Sequence, residues 1–260
     1  MTAPALALLR VEGLCKSFGG VVATDRLDLE VRHGEAHAVI GPNGAGKSTL
    51  IAQLCGELRP SAGRILFEGR DITALPAHAR VGIGLARSFQ ITSLLQSFTA
   101  AENVQVALRP RFGHSFVFWR DAARDAELNR RARALLAEVG LAGRGDVVAA
   151  ELAHGEQRQL ELAMALASRP RLLLLDEPMA GVGHEEALRM VELLLRLKQE
   201  CPMLLVEHDM DAVFRIADRI TVLVNGRAIA SGPPAAIRGD PLVRAAYLGE
   251  ADLGEAADNG

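Results

Sequence analysis

The first third of the chain alternates apolar and polar positions over short segments that end in glycine-bearing turns. This two-residue period, typical of strands with one buried face, occurs in ALLRVEGL, RLDLEVR and RILFEG. Between the last two, EAHAVIG is a continuous apolar run, and helical spacing follows from residue 47 to about residue 58. The pattern predicts short, half-buried strands, together with a buried strand that leads through a glycine-rich loop into a helix.

The last third has a different pattern, in which short continuous apolar runs alternate with helical segments. RLLLLDEP and PMLLVEHD are typical of buried strands, and helices are predicted over about 155–168 and 185–199. Such strands alternating with helices indicate a parallel sheet covered on both faces, and therefore an α/β fold. DRITVLVNGRAIASG adds a hairpin with Asn225-Gly226 at its turn.

A helical insertion separates these two parts. Residues from about 91 to 152 are rich in Ala, Arg and Leu, have helical apolar spacing and contain no convincing strand. We predict a single domain over residues 1–260. Its catalytic core, with the antiparallel β subdomain, covers about 1–90 and 153–232, the helical subdomain about 91–152, and a C-terminal helix with an acidic tail about 233–260.

Composition excludes several classes of protein. Lys and Arg total 29 against 32 Asp and Glu, a net charge of −3, so the basic footprint of a nucleic-acid-binding protein is missing. The apolar fraction of 49% is too high for a wholly disordered chain. Cys15, Cys55 and Cys201 show no C-x-x-C spacing, which argues against a disulfide framework or a zinc cluster and fits a reducing cytosol.

Neither a signal peptide nor a membrane span is predicted. The N-terminal segment lacks a basic region, and no stretch approaches the ~18 uncharged apolar residues that a spanning helix needs. We therefore expect a cytoplasmic protein. If it works at a membrane, another chain must supply the span.

The glycine-rich loop carries the most specific chemical signal. GPNGAGKST, residues Gly41–Thr49, matches the G-x-x-x-x-G-K-[ST] pattern and lies between a predicted strand and helix. Its glycines let successive N–H groups point inward around a phosphate, and the helix adds the positive end of its dipole. Lys47 is expected to reach the β- and γ-phosphates, and Ser48 to offer its hydroxyl to Mg²⁺. The alternative is a chance glycine turn before a helix, which the flanking elements disfavour.

The two acids in LLLLDEP, Asp176 and Glu177, are expected to act together with the phosphate loop. Asp176 stands where a phosphate-loop fold holds Mg²⁺, and Glu177 follows it. In a parallel sheet the strand ends meet at the ligand crevice, so these acids should face a nucleotide. An isolated Asp-Glu pair is more often a helix cap, but together with the phosphate loop that interpretation becomes the weaker one. The guanine-reading N-K-x-D is absent from the sequence, which favours ATP over GTP.

Further motifs surround these two in a fixed order. Phe18 lies in CKSFGG, Gln90 ends ARSFQ, ELAHGEQRQLELA spans Glu151–Ala163, and His208 lies in VEHD. Over nearly the whole chain these motifs resemble those of the ATP-binding cassette (ABC) family. Taken singly, Phe18 would be a core aromatic, Gln90 a surface amide and His208 a structural histidine. Their order and spacing around the two strong motifs reverse those interpretations.

The resemblance implies a P-loop NTPase (RecA-like) core with an N-terminal antiparallel β subdomain and an inserted α-helical subdomain. Its ATP-binding residues would be Phe18, which stacks on adenine, and Gly41, Pro42, Asn43, Gly44, Ala45, Gly46, Lys47, Ser48 and Thr49. Its Mg²⁺ ligands would be Ser48, Gln90 and Asp176. Its catalytic residues would be Glu177, which polarises water, His208, which contacts the γ-phosphate, and Gln90, which links water and Mg²⁺ to the membrane partner.

The resemblance also implies a head-to-tail dimer in which each ATP lies between one domain's phosphate loop and the other's signature motif. The signature residues are Ala153, His154, Gly155 and Glu156, where the family's usual L-S-G-G-Q begins at Leu152. Glu in the fifth place and a bulky residue in the third are known variants. Ala153 is a real loss, because it removes a hydroxyl donor to the opposite γ-phosphate. Gly183 stands where many members carry Asp.

Several longer stretches resemble one subgroup, the ATPase subunits of branched-chain amino acid importers. They include GIGLARSFQITSLLQSFTAAENVQVA, LAHGEQRQLELAMALASRPRLLLLDEPMAG, VEHDMDAVFRIADRITVLVNGRAIASG and the ending AAYLGE. The resemblance implies membrane permeases, a second ABC ATPase subunit that makes a heterodimer or a homodimer, and indirectly an external binding protein as partners. It implies a peripheral position on the cytoplasmic face of the inner membrane. Importers of urea, amides or other amino acids share these motifs, so the solute stays open.

Two alternatives stay open as well. A soluble ABC-type ATPase that assembles iron–sulfur scaffolds would carry the same cassette without a permease. A non-catalytic nucleotide-binding module is opposed by Lys47, Asp176, Glu177 and His208, which are all present. Separately, four aromatic residues fall within eight positions of the helical subdomain and form either a permease docking face or ordinary packing: Phe112, Phe116, Phe118 and Trp119.

Overall fold

The structure contains the strands and helices that the apolar pattern predicts, together with several short elements that it does not predict. The structure, a computed structural model, describes residues 7–88, 94–109 and 126–246. The strands are β1 (Ala7–Phe18), β2 (Val21–Arg32), β3 (Ala36–Ile40), β4 (Ala62–Phe67), β5 (Arg70–Asp71), β6 (Leu85–Ser88), β7 (Leu172–Asp176), β8 (Met203–Val206), β9 (Arg219–Val224) and β10 (Arg227–Gly232). The helices are α1 (Lys47–Cys55), α2 (Ala77–Gly82), α3 (Ala100–Leu108), α4 (Ala126–Glu138), α5 (His154–Ala167), α6 (His184–Leu197), α7 (Met210–Ile216) and α8 (Pro234–Gly239). In the described ranges no helix combines the length and the apolarity that crossing a membrane requires.

The chain divides into two compact units. The first consists of residues up to Arg80 and from Lys198 onward. It contains an antiparallel sheet in the order β2-β1-β4-β5, which confirms the predicted N-terminal sheet. The apolar positions of β1 lie in the core, where Leu8, Leu9 and Leu14 are fully buried.

The first unit also contains the strands that position the phosphate loop. They lie in the order β10-β9-β3-β8, and β3 runs parallel to both β8 and β9. All five residues of β3 are buried. Because parallel strands end at the same edge, the loop after β3 and the segment after β8 leave the sheet on one side. The predicted hairpin is confirmed, with Asn225 and Gly226 at φ 47° and 78° between β9 and β10.

The second unit is Val81–Leu197. Its strands β6 and β7 pair in parallel, with Leu85 opposite Leu172 and Ser88 opposite Leu175. Helix α3 packs against α4 and α5, and α5 packs against α6. Thr99 and Glu102 form a capping box at the start of α3, which explains why that helix begins at Ala100.

A buried histidine lies on the strand of the first unit that pairs in parallel with both β8 and β9. His37, on β3, is 1% exposed, and its Nε2 lies 2.8 Å from the hydroxyl of Thr221, which in turn lies 2.9 Å from the hydroxyl of Ser231. Burial and, to a smaller extent, the nearby positive charge of Arg219 lower the pKa of His37 to about 4, against a hydrogen bond with the Glu30 backbone. The ring is therefore neutral in the folded protein at neutral pH.

We expect the free energy of unfolding to fall as the pH drops from about 6.5 towards 4. The folded pKa lies below the unfolded one, so between these values the unfolded state binds the proton that the folded state excludes. A difference of about 2.5 pKa units corresponds to about 3 kcal/mol from this residue. Urea titrations at pH 7.5, 5.5 and 4.5 would measure it. His37→Gln keeps polar groups but does not titrate. An equally steep pH dependence in that variant would contradict the assignment to His37.

Candidate nucleotide-binding site

The phosphate loop, residues 41–46, connects the end of β3 to the start of α1. Backbone φ is 154° at Gly41 and 101° at Gly46, and a β-carbon on either would lie 2.1 Å from a carbonyl oxygen. These oxygens belong to Leu223 and Ala23, so only glycine fits. Helix α1 begins without a side-chain cap. An uncapped helix start after a glycine loop is an arrangement that accepts a phosphate.

Lys47 folds back onto the loop that it follows. Its Nζ donates hydrogen bonds to the carbonyl oxygens of Gly41, at 2.6 Å, and Pro42, at 2.9 Å. Because the residue is almost fully buried, its charged Nζ lies against the loop and has little contact with solvent. Ser48, one position further along α1, is exposed. Lys47, which is predicted to bind phosphate, and Ser48, which is predicted to bind Mg²⁺, therefore both lie at the start of α1.

Phe18 ends β1 with its side chain out of the core. It is 51% exposed, and the Lys16 ammonium lies 5.3 Å from the centre of its ring. The Lys16 Nζ also donates a hydrogen bond to the Arg59 carbonyl oxygen, at 2.9 Å, which ties it to the neighbouring segment. An exposed aromatic face suits the stacking role that the resemblance implies, and it disfavours the core-aromatic alternative.

His208 leaves the sheet just after β8. Its side chain is 67% exposed, while the preceding Glu207 is buried. The Glu207 carboxylate accepts hydrogen bonds from the backbone N–H groups of His208, at 3.0 Å, and Asp209, at 3.4 Å. Asp209 caps α7 by accepting from the N–H of Ala212. The backbone of His208 is therefore held on both sides while its imidazole stays accessible.

Asp176 ends β7 in the second unit, with its side chain fully buried. Its Oδ2 lies 2.9 Å from Nη2 of Arg87 on β6. Arg87 is placed there by the parallel pairing of the two strands, in which it stands opposite Leu174. The carboxylate that is expected to face Mg²⁺ is therefore partnered by a guanidinium in the structure.

Glu177 follows Asp176 in an unusual backbone conformation. Its φ is 49°, in the left-handed region that costs a non-glycine residue about 1 kcal/mol. The turn closes through a hydrogen bond from the N–H of Ala180 to the Glu177 carbonyl oxygen, at 3.0 Å. Strained residues of this kind concentrate at functional sites. The strain turns the Glu177 side chain away from the direction that a continuing strand would give it.

The signature residues lie at the start of α5. Ala153 is its N-cap, and both Ala153 and His154 are exposed. Gly155 is buried, and a β-carbon there would lie 2.8 Å from the carboxylate carbon of Glu186. Glu156 accepts a hydrogen bond from the N–H of Ala153, at 3.0 Å, which is half of a capping box. The other half is missing, because alanine has no side-chain acceptor.

Restoring a hydroxyl at this N-cap should raise both stability and activity. We expect Ala153→Ser to raise the free energy of unfolding by about 1 kcal/mol, because the hydroxyl accepts from the third N–H of α5. We expect ATP turnover to rise about tenfold, since a charge-assisted hydrogen bond is worth about 1.5 kcal/mol or more. Urea denaturation and phosphate release measure the two effects. Ala153→Gly, which caps without a hydroxyl, is the control, and an unchanged turnover in the serine variant would contradict the role.

The oxygen donors predicted for Mg²⁺ fit that ion chemically. Ser48 offers a hydroxyl and Asp176 a carboxylate, and Mg²⁺ prefers hard oxygen ligands that it shares with substrate phosphates. Gln90, the third predicted ligand, lies outside the described residues. So do Phe112, Phe116, Phe118 and Trp119, so neither interpretation of that aromatic cluster is tested.

Sequence reasoning missed three charged residues that contact the predicted site. Arg87 and Glu207 stand inside motifs that were recognised, ARSFQ and VEHD, but were assigned no role. Each lies within about three positions of a predicted catalytic residue, Gln90 or His208, and a charged residue at that separation is the signal that could have found them. The third, Arg144, contacts Glu156 from a loop twelve residues earlier. No local pattern marks it.

Comparison with known proteins gives one consistent result. Residues 24–180 match the family described as ABC transporter, and residues 229–252 match the branched-chain amino acid ATP-binding cassette transporter family. The chain is 39% identical over 251 residues to the high-affinity branched-chain amino acid transport ATP-binding protein BraF of Pseudomonas aeruginosa, covering 94% of this chain and 98% of BraF. It is 38% identical to the corresponding protein LivG of Escherichia coli, with the same coverage.

A solved structure agrees with these sequence matches. The ADP conformation of an ATP-binding cassette of an ABC transporter superposes with a TM-score of 0.82 at 30% identity. The match covers 94% of this chain and 99% of that one. The shared fold therefore extends over nearly all of both chains.

Proposed function

The chain belongs to the ABC transporter family, and from that premise we propose that it powers the import of branched-chain or related amino acids through a separate membrane permease. Like other cassettes of the family, it is a nucleotide-binding protein that hydrolyses ATP. The observation that carries the reaction is the phosphate loop, where two sterically required glycines precede a helix that has no side-chain N-cap and begins at the folded-back Lys47. The solute class rests on the match of residues 229–252 and on BraF and LivG.

Each predicted residue has a defined task in this reaction. Phe18 stacks on the adenine, and the loop from Gly41 to Thr49 binds the phosphates, with Lys47 on their negative charge. Glu177 accepts a proton from the water that attacks the γ-phosphorus, and His208 holds the γ-phosphate. The bond from the γ-phosphorus to the bridging oxygen then breaks, leaving ADP and inorganic phosphate.

Ser48, Asp176 and Gln90 would hold Mg²⁺, which would neutralise charge on the phosphate oxygens. The exposed hydroxyl of Ser48 is accessible for this task. The carboxylate of Asp176 also contacts the guanidinium of Arg87, at 2.9 Å.

The signature residues act on the ATP of a second cassette. Ala153 and His154 are exposed at the start of α5, as residues that meet another subunit must be. We propose a dimer of two cassettes on two permeases at the cytoplasmic face of the membrane, fed by an external binding protein. If the second cassette is a different chain, the two ATP sites are unequal, because this chain's signature lacks the hydroxyl at Ala153. The soluble iron–sulfur assembly alternative is not favoured by any of the relatives compared.

Isolation of the complex from native membranes tests the proposal. The tagged chain would be recovered after gentle solubilisation, as wild type and as Glu177→Gln, which traps bound ATP. Two permeases and a second cassette subunit are expected, with a larger yield from the trapped variant. Cells lacking the gene should also lose leucine uptake, which the wild type but not Lys47→Ala restores. Recovery of soluble partners alone would overturn the transport role and leave the ATPase reaction standing.

A further inference from the structure

The acidic fifth residue of the signature segment is held by an arginine from outside that segment. Arg144 Nε lies 2.7 Å from Oε1 of Glu156, and its Nη2 donates to Oε2 at 3.0 Å. The same Oε2 accepts the hydrogen bond from the N–H of Ala153. The guanidinium therefore engages both carboxylate oxygens, and the carboxylate in turn holds the N-cap of α5. One charge-assisted hydrogen bond and a close ion-pair contact therefore join the two side chains.

The ionised state of Glu156 follows from these contacts. Burial raises the pKa of Glu156, but the hydrogen bonds from Arg144 and from the Ala153 N–H, together with the Arg144 charge, outweigh it and hold the pKa below its usual value. The residue is therefore negatively charged at neutral pH. Its side chain is 26% exposed and that of Arg144 42%, so the pair is only partly screened by solvent.

A negative charge in this place opposes the function proposed for α5. The start of a helix attracts anions through its dipole and its N–H groups, and a fixed carboxylate there cancels part of that attraction. A second carboxylate, that of Glu186, lies at the same helix end, within 3.0 Å of where a β-carbon on Gly155 would be. The carboxylates of Glu156 and Glu186 therefore both lie close to the start of α5, which has to accept the γ-phosphate of ATP.

We propose that Arg144 is a positioning residue of the signature segment, which neutralises Glu156 and orients the start of α5 so that the γ-phosphate of a second subunit's ATP can approach. The inference rests on the proposed function, since it requires the signature to meet ATP in another cassette. It assigns a role to a residue of the helical subdomain that no motif includes. It also explains how the chain tolerates Glu where the usual motif has Gln.

Charge removal in the assembled complex tests this role. Arg144→Gln leaves Glu156 uncompensated, and we expect the ATP concentration for half-maximal hydrolysis to rise about tenfold, the factor that about 1.4 kcal/mol of repulsion produces. The double variant Arg144→Gln with Glu156→Gln should recover most of this loss, because both charges are then gone. Arg144→Lys, which keeps the charge, should lose less than Arg144→Gln. Added salt should shrink the defect of Arg144→Gln, since screening weakens the repulsion.

Arg133→Gln is the matched control, because it removes an exposed pair with Asp146 in the same unit and should change nothing. If Arg144 only stabilised the local structure, the result would differ. The double variant would then be as defective as Arg144→Gln, and added salt would not reduce the defect. That outcome overturns the role of Arg144 alone. A wild-type complex that hydrolyses no ATP would instead overturn the proposed function, so the two failures are distinguishable.

Discussion

Glu177→Gln is expected to lower the ATP turnover of the assembled transporter by about 10²–10⁴-fold, the contribution of a general base, while ATP still binds. Glutamine has nearly the same shape but cannot accept the proton of the attacking water. It also adopts the same left-handed backbone, φ 49°, at the same cost, so the substitution isolates the chemistry from the fold. Phosphate release measures turnover, and retention of labelled ATP on the complex measures binding.

Glu185→Gln is the matched control for this experiment. Glu185 is an exposed acid at the start of α6, 3.9 Å from Arg189, and losing its charge should leave turnover within about twofold. If Glu177→Gln retained most of the wild-type turnover, Glu177 would not be the base. If it lost ATP binding as well, its role would be to hold the nucleotide.

Arg87→Met is expected to lower the free energy of unfolding by about 3 kcal/mol, because it removes the guanidinium from a buried carboxylate. The side chain of Asp176 is fully buried and that of Arg87 is 14% exposed, so water cannot replace the lost contact well. Methionine preserves most of the volume, which limits the contribution from packing. Urea denaturation at pH 7 measures the change.

Two further variants separate charge from packing at this pair. Adding Asp176→Asn to Arg87→Met should recover part of the lost stability, since the amide carries no charge to bury. Arg133→Met, at an exposed ion pair with Asp146, should cost less than about 1 kcal/mol. A loss at Arg87 no larger than the loss at Arg133 would show that the contact with Asp176 does not stabilise the fold.

Much of the nucleotide site could be predicted from local pattern. The phosphate loop is continuous in sequence, and its flanking strand and helix follow from the apolar run before Gly41 and the helical spacing after it. The extent of α1 was predicted less well, because the helix ends at Cys55 and not near residue 58. Gly56 takes φ 80° and its N–H bonds back to the last turn, a C-cap that apolar spacing does not reveal.

Contacts between distant segments could not be predicted in this way. Strand β6 was missed because LARS is too short and too polar to show a strand period, and it is a strand only through its pairing with β7. That pairing brings Arg87 to Asp176, 89 positions along the chain. The neutral state of His37 likewise depends on its burial between β8 and β9 and not on its neighbours in sequence.

The sequence by itself determined the family, the order of the motifs and the residues that we propose to bind ATP, because those residues lie within short continuous segments of the chain. Only the tertiary structure decided which charges neutralise one another: Arg87 with Asp176, and Arg144 with Glu156. The physical reason is that electrostatic energy depends on distance and burial in space. Neither quantity is encoded in the separation of two residues along the chain.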